Sequence, residues 1–262
     1  MKSLEKNVDG ASYSAFSAAL RKKDVAVNGI KQRENSDVVP GDEITIFLPD
    51  GAFRPNFTIS YEDENVLFVN KGKEIEVCDG EKNVADELKK AGKSVIPIHR
   101  IDRNTSGLVM FAKTREAFEA FLSALKEGRI KKYYEAEVFG TPKNKSGVFI
   151  DYMKKDAAKK FVSVRSSPAA GYEKTETYYD VIKCSGKTTL LCVRISGGFT
   201  HQIRASLAFH DLPIIGDGKY GKSEINRNFG SKYQRLTAKK LVFDFADDSC
   251  LSSMSAHRIL GL

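Results

Sequence analysis

The sequence predicts an α+β protein with a mixed, mainly antiparallel sheet, preceded by a small module that has its own helix and strands. Three observations carry this expectation. Strand-like segments follow one another with few helical segments between them, which argues against a parallel βαβ order. Asn28-Gly29 and Ser185-Gly186 each sit between alternating segments, as hairpin turns do. Pro49-Asp50-Gly51 and Pro55 punctuate the chain. Residues 1–50 are therefore expected to form the module, 51–56 a linker and 57–262 the main domain.

Taken in order, Tyr13–Lys23 reads as a helix with Phe16, Ala19 and Leu20 on one face, and Arg21, Lys22 and Lys23 suit the negative pole at its end. Asp24–Asn28 alternates as a strand, and Pro40-Gly41-Asp42 turns the chain into another at Glu43–Leu48. Beyond Phe57, Val66–Val69 reads as a buried strand and Asn83–Lys90 as a short helix capped by Asn83. Gly107–Lys113 is a strand. Thr114 then caps a helix whose Phe118, Phe121, Leu122 and Leu125 recur at helical spacing up to Gly128. Lys132–Phe139 alternates, Lys174–Lys183 and Lys187–Ile195 form a hairpin, Thr200 caps a helix through Phe209, and Leu236–Phe245 is a late strand.

With 41% hydrophobic and 29% charged residues in 262, the chain has the composition of a soluble globular protein. Its apolar runs are too short to span a bilayer, and Met1–Gly10 contains no apolar stretch of a secretory signal. The four cysteines are scattered without metal-ligand spacing, so a reduced cytoplasmic protein without structural zinc is expected. The net charge is +8; residues 1–50 hold seven basic and eight acidic residues, leaving 35 against 26 for the rest. Lys219–Lys240 is the densest basic stretch, with Lys219, Lys222, Arg227, Lys232, Arg235, Lys239 and Lys240 against Glu224 alone. Tyr220, Phe229 and Tyr233 are interleaved there. Such a segment suits RNA, through phosphate contacts and base stacking; a solvated lysine-rich surface is the other reading.

The stretch His99-Arg100-Ile101-Asp102-Arg103-Asn104-Thr105-Ser106-Gly107-Leu108 places a carboxylate between two arginines, where a polar loop enters a buried strand. Cations on both sides keep such an Asp ionised, fit for a nucleophile or an electrostatic stabiliser. On the residues alone, a structural ion-pair cluster is the competing account. The stretch resembles the His-Arg-Leu-Asp-Arg-Asp-Thr-Ser-Gly-Leu motif of the RluA/RluD family of RNA pseudouridine synthases, with Ile101 for Leu and Asn104 for Asp. That resemblance implies the pseudouridine synthase fold and a catalytic role for Asp102.

Two further segments follow in that family's order. Arg129-Ile130-Lys131-Lys132-Tyr133-Tyr134-Glu135-Ala136-Glu137-Val138-Phe139-Gly140 resembles its Arg-x-x-Lys-x-Tyr-x-Ala-x-Val-x-Gly segment, which implies that Tyr134 is the active-site tyrosine. By itself, a Tyr in an alternating strand is a packing residue. Phe199-Thr200-His201-Gln202-Ile203-Arg204 and Pro213-Ile214-Ile215-Gly216-Asp217-Gly218-Lys219-Tyr220-Gly221 resemble the family's last motif and its continuation, so Arg204 is expected to pair with the catalytic Asp. Phe199 stands where the family has Arg, and Asn70-Lys71-Gly72-Lys73 lacks the Pro of its Lys-Pro-x-Gly motif.

The resemblance implies isomerisation of uridine to pseudouridine within RNA, without cofactor or metal. Asp102 acts on ribose or base, Arg204 keeps it ionised, and Tyr134 stacks on the base or removes the carbon 5 proton. Base extrusion costs a few kcal/mol. RNA contacts are expected from Arg100, Arg103, Thr105, Lys132, His201, Gln202, Lys219 and Lys222. Leu20–Gly29 with Pro40–Ile44 resembles the α-L RNA-binding module of some ribosomal proteins, although Met1–Ala11 supplies no preceding helix. It implies further contacts from Arg21, Lys22, Lys23 and Asn28 and favours large-subunit ribosomal RNA, with transfer RNA as the alternative. A monomer is expected. A non-catalytic ribosome-assembly protein is the main competing reading. An RNA methyltransferase would need a parallel βαβ order and a glycine-rich cofactor loop, which the sequence does not display.

Overall fold

The computed structural model describes residues 13–47, 56–156, 158, 161–245, 250, 251 and 259–261. The expectations for Met1–Ala11, and for the punctuation at 49–55, lie outside the described residues. The chain divides into two compact units, Met1–Pro55 and Asn56–Leu262.

In the first unit, helix α1 (Tyr13–Lys22) buries Phe16, Ala19 and Leu20, one stripe at helical spacing, and ends on exposed Arg21 and Lys22. Strands β1 (Val25–Val27), β2 (Ile30–Gln32) and β3 (Ile44–Ile46) make an antiparallel sheet in the order β2-β1-β3. Asn28 and Gly29 have φ of 50° and 79°. Both central residues of the hairpin turn are thus left-handed, which Asn-Gly tolerates and which matches strand twist. The Asn28 carboxamide donates to Asp42 Oδ1 at 2.8 Å and accepts from the Glu43 amide at 2.9 Å, tying the turn to the start of β3.

The second unit is built on one sheet. Its strands are β4 (Phe57–Glu62), β5 (Val66–Lys71), β6 (Ile96–Pro97), β7 (Ser106–Ala112), β8 (Ile130–Phe139), β9 (Ser146–Asp156), β10 (Phe161–Arg165), β11 (Glu173–Ser185), β12 (Thr188–Ile195), β13 (Leu236–Phe243) and β14 (Ile259–Gly261). Nine run in the order β10-β9-β11-β12-β8-β13-β7-β5-β4, with β14 beside β13 and β6 beside β7. Among the described residues β13 with β7 is the one parallel strand pair. Helices are few: α2 (Val84–Lys90), α3 (Arg115–Lys126), α4 (Gln202–Phe209) and the short α5 (Ser223–Asn228).

Two cores form. One gathers Val84 and Leu88 of α2 and Ile203 and Leu207 of α4 with Val109, Tyr134, Ala136 and Val193. The other packs Ala117, Phe121 and Ala124 of α3 on Phe68, Met110 and Phe243. Asn83 and Thr114 cap α2 and α3 by accepting from the amides three residues on, which satisfies donors that a helix start leaves open. Thr200 does not cap α4. His201 is its N-cap, in the left-handed region at φ 55°, and the Gln202 side chain accepts from the Phe199 amide instead. Strands β2, β4, β6, β9, β10 and β14 and helix α5 have no counterpart among the sequence expectations.

Candidate active site

Asp102 lies in the loop between β6 and β7, and that loop is held from below. Thr105 donates its amide to the Asp102 carbonyl at 2.9 Å, and its buried hydroxyl accepts from Gln234 Nε2 at 2.9 Å. Lys71, fully buried at the end of β5, donates Nζ to the carbonyls of Gly72, Ile75 and Arg103 at 2.8, 2.9 and 3.0 Å. Burial pushes its pKa down to about 8, against the opposing pull of Glu76 and Asp102. Gly107 follows with φ 111°, and a Cβ there would stand 2.1 Å from the Ala238 carbonyl oxygen. Only glycine lets β7 approach β13 this closely.

The Asp102 side chain is 26% exposed, and its Oδ2 accepts from Arg204 Nη1 at 2.7 Å. Arg204 is the third residue of α4 and is buried. Its other donors grip Asp217 in a fork, Nε to Oδ2 at 2.7 Å and Nη2 to Oδ1 at 2.9 Å. Asp217 is 1% exposed and also accepts from the amides of Lys219 and Tyr220. Burial alone would raise the Asp217 pKa, but the Arg204 hydrogen bonds and charge outweigh it and hold the carboxyl below its ordinary range. Burial likewise opposes the charge on Arg204, and the two carboxylates overcome it, so the guanidinium is held above its ordinary pKa.

The other Asp102 oxygen, Oδ1, stands 3.9 Å from His201 Nε2, beyond hydrogen-bond reach. Burial depresses the His201 pKa despite the attraction of Asp102, so at neutral pH this ring is no cation. Its Nδ1 shares a 2.8 Å hydrogen bond with the Tyr220 hydroxyl. Tyr134, on the buried face of β8, has its phenol pushed up by burial and then by the Asp102 charge. A carboxylate with one oxygen anchored and the other without a hydrogen bond among the described residues can attack or deprotonate a group brought to Oδ1.

The arginines flanking Asp102 in sequence do not hold it. Arg100 is exposed and turns to Asp79 at 3.3 Å and Glu76 at 3.8 Å; Arg103 is exposed and lends the site only its carbonyl. Three residues expected to touch RNA are buried instead. Thr105 supports the loop, Gln202 donates to Glu176 O and Thr177 Oγ1, and Lys132 lies inside, against the backbone at Gly198. In each case the side chain serves the protein interior. Arg21, Lys22, Lys23, Lys219 and Lys222 are exposed, while the Asn28 carboxamide is occupied within its own turn. Part of the basic segment is neutralised: Lys232 pairs with Glu74, Arg235 with Glu137 and Lys239 with Glu135. Sequence reasoning gave no site role to Lys71, Asp217 or Gln234, and read Tyr220 as a base-stacking ring where the structure bonds it to His201 and the Val162 amide. A buried arginine asked to serve one carboxylate has donors to spare, and that excess was the available signal for Asp217.

Among the described residues, no three His, Cys, Asp or Glu side chains are grouped so as to hold a metal ion, and no helix is long and apolar enough to cross a membrane. Residues 65–209 match the model of a family described as RNA pseudouridylate synthase. An uncharacterized RNA pseudouridine synthase of Mycoplasma genitalium is 32% identical over 279 residues, covering 94% of this chain and 86% of its own. A ribosomal large subunit pseudouridine synthase D of Blochmanniella floridana is 29% identical over 203 residues, covering 73% of this chain and 60% of its own. The solved structure of human RNA pseudouridylate synthase domain containing 1 is similar in fold, with a TM-score of 0.64 at 19% identity, covering 74% of this chain and 81% of that one.

Proposed function

The chain belongs to the RNA pseudouridylate synthase family, and from that premise we propose that Asp102 is its catalytic carboxylate and large-subunit ribosomal RNA its substrate. The protein is an isomerase of RNA. Its reaction breaks the glycosidic carbon–nitrogen bond of a uridine, turns the uracil and joins carbon 5 to the ribose. The observation that carries the role of Asp102 is the relay Asp217–Arg204–Asp102, which fixes one carboxylate oxygen at 2.7 Å and leaves the other open.

In this reading Oδ1 meets the extruded nucleotide, either as nucleophile toward ribose or base or as base toward a ribose proton. Arg204 holds Asp102 in place through its 2.7 Å hydrogen bond to Oδ2. Tyr134 presents its ring to the uracil. Because burial and the Asp102 charge keep its phenol protonated, it serves the reaction by packing and donation, and removal of the carbon 5 proton falls to another group. His201, neutral, orients Tyr220. Extruding the base costs a few kcal/mol, least in loops and distorted helices, and the exposed cations Lys219, Lys222, Arg100 and Arg103 would help offset that through phosphates. Arg21, Lys22 and Lys23 would add contacts from the first unit. The name of the Blochmanniella relative supports the large ribosomal subunit as target, and that target would place the protein in the cytoplasm.

The test is to incubate unmodified large-subunit ribosomal and transfer RNA transcripts with the protein and map pseudouridine. Product at defined positions of the ribosomal transcript is expected. Product in transfer RNA alone would move the substrate, and product in neither would favour a binding-only ribosome-assembly role.

A further inference from the structure

We propose that Phe161 is a stacking platform for an RNA base flanking the modified uridine, an inference that rests on Asp102 being the site of reaction. Phe161 opens β10, the edge strand of the sheet, and is 37% exposed. A large apolar ring at a strand edge is a liability unless something covers it.

Phe161 is the outer end of a continuous column that starts at Asp102. Its ring centroid lies 4.7 Å from that of Tyr220, at 33° between planes. Tyr220 in turn has the Arg204 guanidinium 5.3 Å from its ring centroid, and Arg204 donates to Asp102. Tyr220 cannot swing away. Its hydroxyl accepts from the Val162 amide at 2.9 Å, next to Phe161, and bonds His201 Nδ1 at 2.8 Å. The aromatic pair is therefore fixed to the loop and helix that frame the carboxylate, with the outer ring partly open to solvent.

The surroundings suit a polyanion. Lys155 and Lys154 lie across the β9–β10 ladder from Val162 and Ser163, and both are exposed, as is Arg165 at the far end of β10. Lys154 and Arg165 both stand over the Tyr172 ring, at 5.9 and 5.6 Å. Asp156, opposite Phe161, is the one acid in this ladder. Cations interleaved with rings are what single-stranded RNA binds: phosphates meet the charges and bases stack on the aromatics without regard to sequence. The need is specific to this reaction, because extruding a uridine strips its neighbours of a stacking partner. A ring at the mouth of the site replaces that partner.

The competing role for Phe161 is a cover that keeps water from Tyr220. Stem-loops cut from around the uridine that the wild-type protein modifies separate the two, made intact or abasic at one flanking position at a time. Phe161→Ala and Phe161→Leu are expected to raise KM about tenfold with kcat unchanged, and Phe161→Trp to restore it. At one flanking position, removing the base should erase the difference between Phe and Ala. A Phe161→Leu variant with wild-type KM, or the same Phe-to-Ala ratio on every abasic RNA, would overturn the platform while leaving the synthase reading in place. Conversion of no uridine by the wild-type protein would bring down both.

Discussion

Two buried basic groups in the second unit, Arg204 and Lys132, meet opposite fates. Arg204 is sunk among carboxylates: its fork holds Asp217, its remaining arm holds Asp102, and its charge is reinforced. Lys132 lies two residues before Tyr134 on the same buried face of β8, yet among the described residues its ammonium meets no carboxylate within ion-pair reach. Burial alone acts on it and pulls its pKa down to about 8. The neighbouring His99 is pushed further, to about 3, by burial and then by the Lys132 charge. Burial is therefore not what marks a site. The carboxylate proposed as catalytic lies against Arg204, whose burial is answered by charge, and not against Lys132, whose burial is not.

The comparison is broken most severely by removing Arg204. Arg204→Met leaves Asp217 buried without its cation, and such a loss typically costs about 3–5 kcal/mol. Chemical denaturation should show that drop, and pseudouridine formation should fall with it. Unchanged stability would mean that the fork contributes nothing to holding the site.

Removing Lys132 should act in the other direction and less strongly. Lys132→Met takes away a buried charge that no carboxylate among the described residues compensates, and at pH 7 it should raise stability by roughly 1–3 kcal/mol, given about 1.4 kcal/mol for each unit of pKa displacement. The advantage should shrink with pH. Above about 8 the native amine has lost its proton, while the unfolded chain keeps its own up to the ordinary lysine range, so the unfolded state binds more protons and wild-type stability climbs. Denaturation of both proteins at pH 7, 9 and 10 measures the gap. A gap constant with pH would show that Lys132 is not the depressed group.

What could be read in the sequence follows the same division. The hairpin turns, the Asn83 and Thr114 caps and the helix α3 were legible because each depends on a few adjacent residues, although the buried stripe of α3 is Ala117, Phe121 and Ala124 and shares only Phe121 with the expected one. Strand β9 was not. Its Val148 and Ile150 face outward while Asp151 is buried, accepting from Ser206 at 2.5 Å and bonding His210 at 2.8 Å, so its polarity runs against its burial. The α4 cap was misassigned because Thr at a helix start is the common solution, whereas here a left-handed His201 makes the turn. The motif around Asp102 pointed to its loop. It could not tell that Arg100 would turn to Glu76 and Asp79, since charges adjacent in sequence need not be adjacent in space. Lys132 read as a surface cation for the same reason: alternation along β8 gives two faces and does not say which one is buried.

The most direct test of the account is Asp102→Asn, assayed for pseudouridine in the transcript that the wild-type protein converts. Arg204 keeps Asp217 in this variant, so the protein should fold and bind RNA as the wild type does while forming no pseudouridine. Conversion at the wild-type rate would contradict the assignment of Asp102 and leave the relay to Arg204 as a structural ion pair.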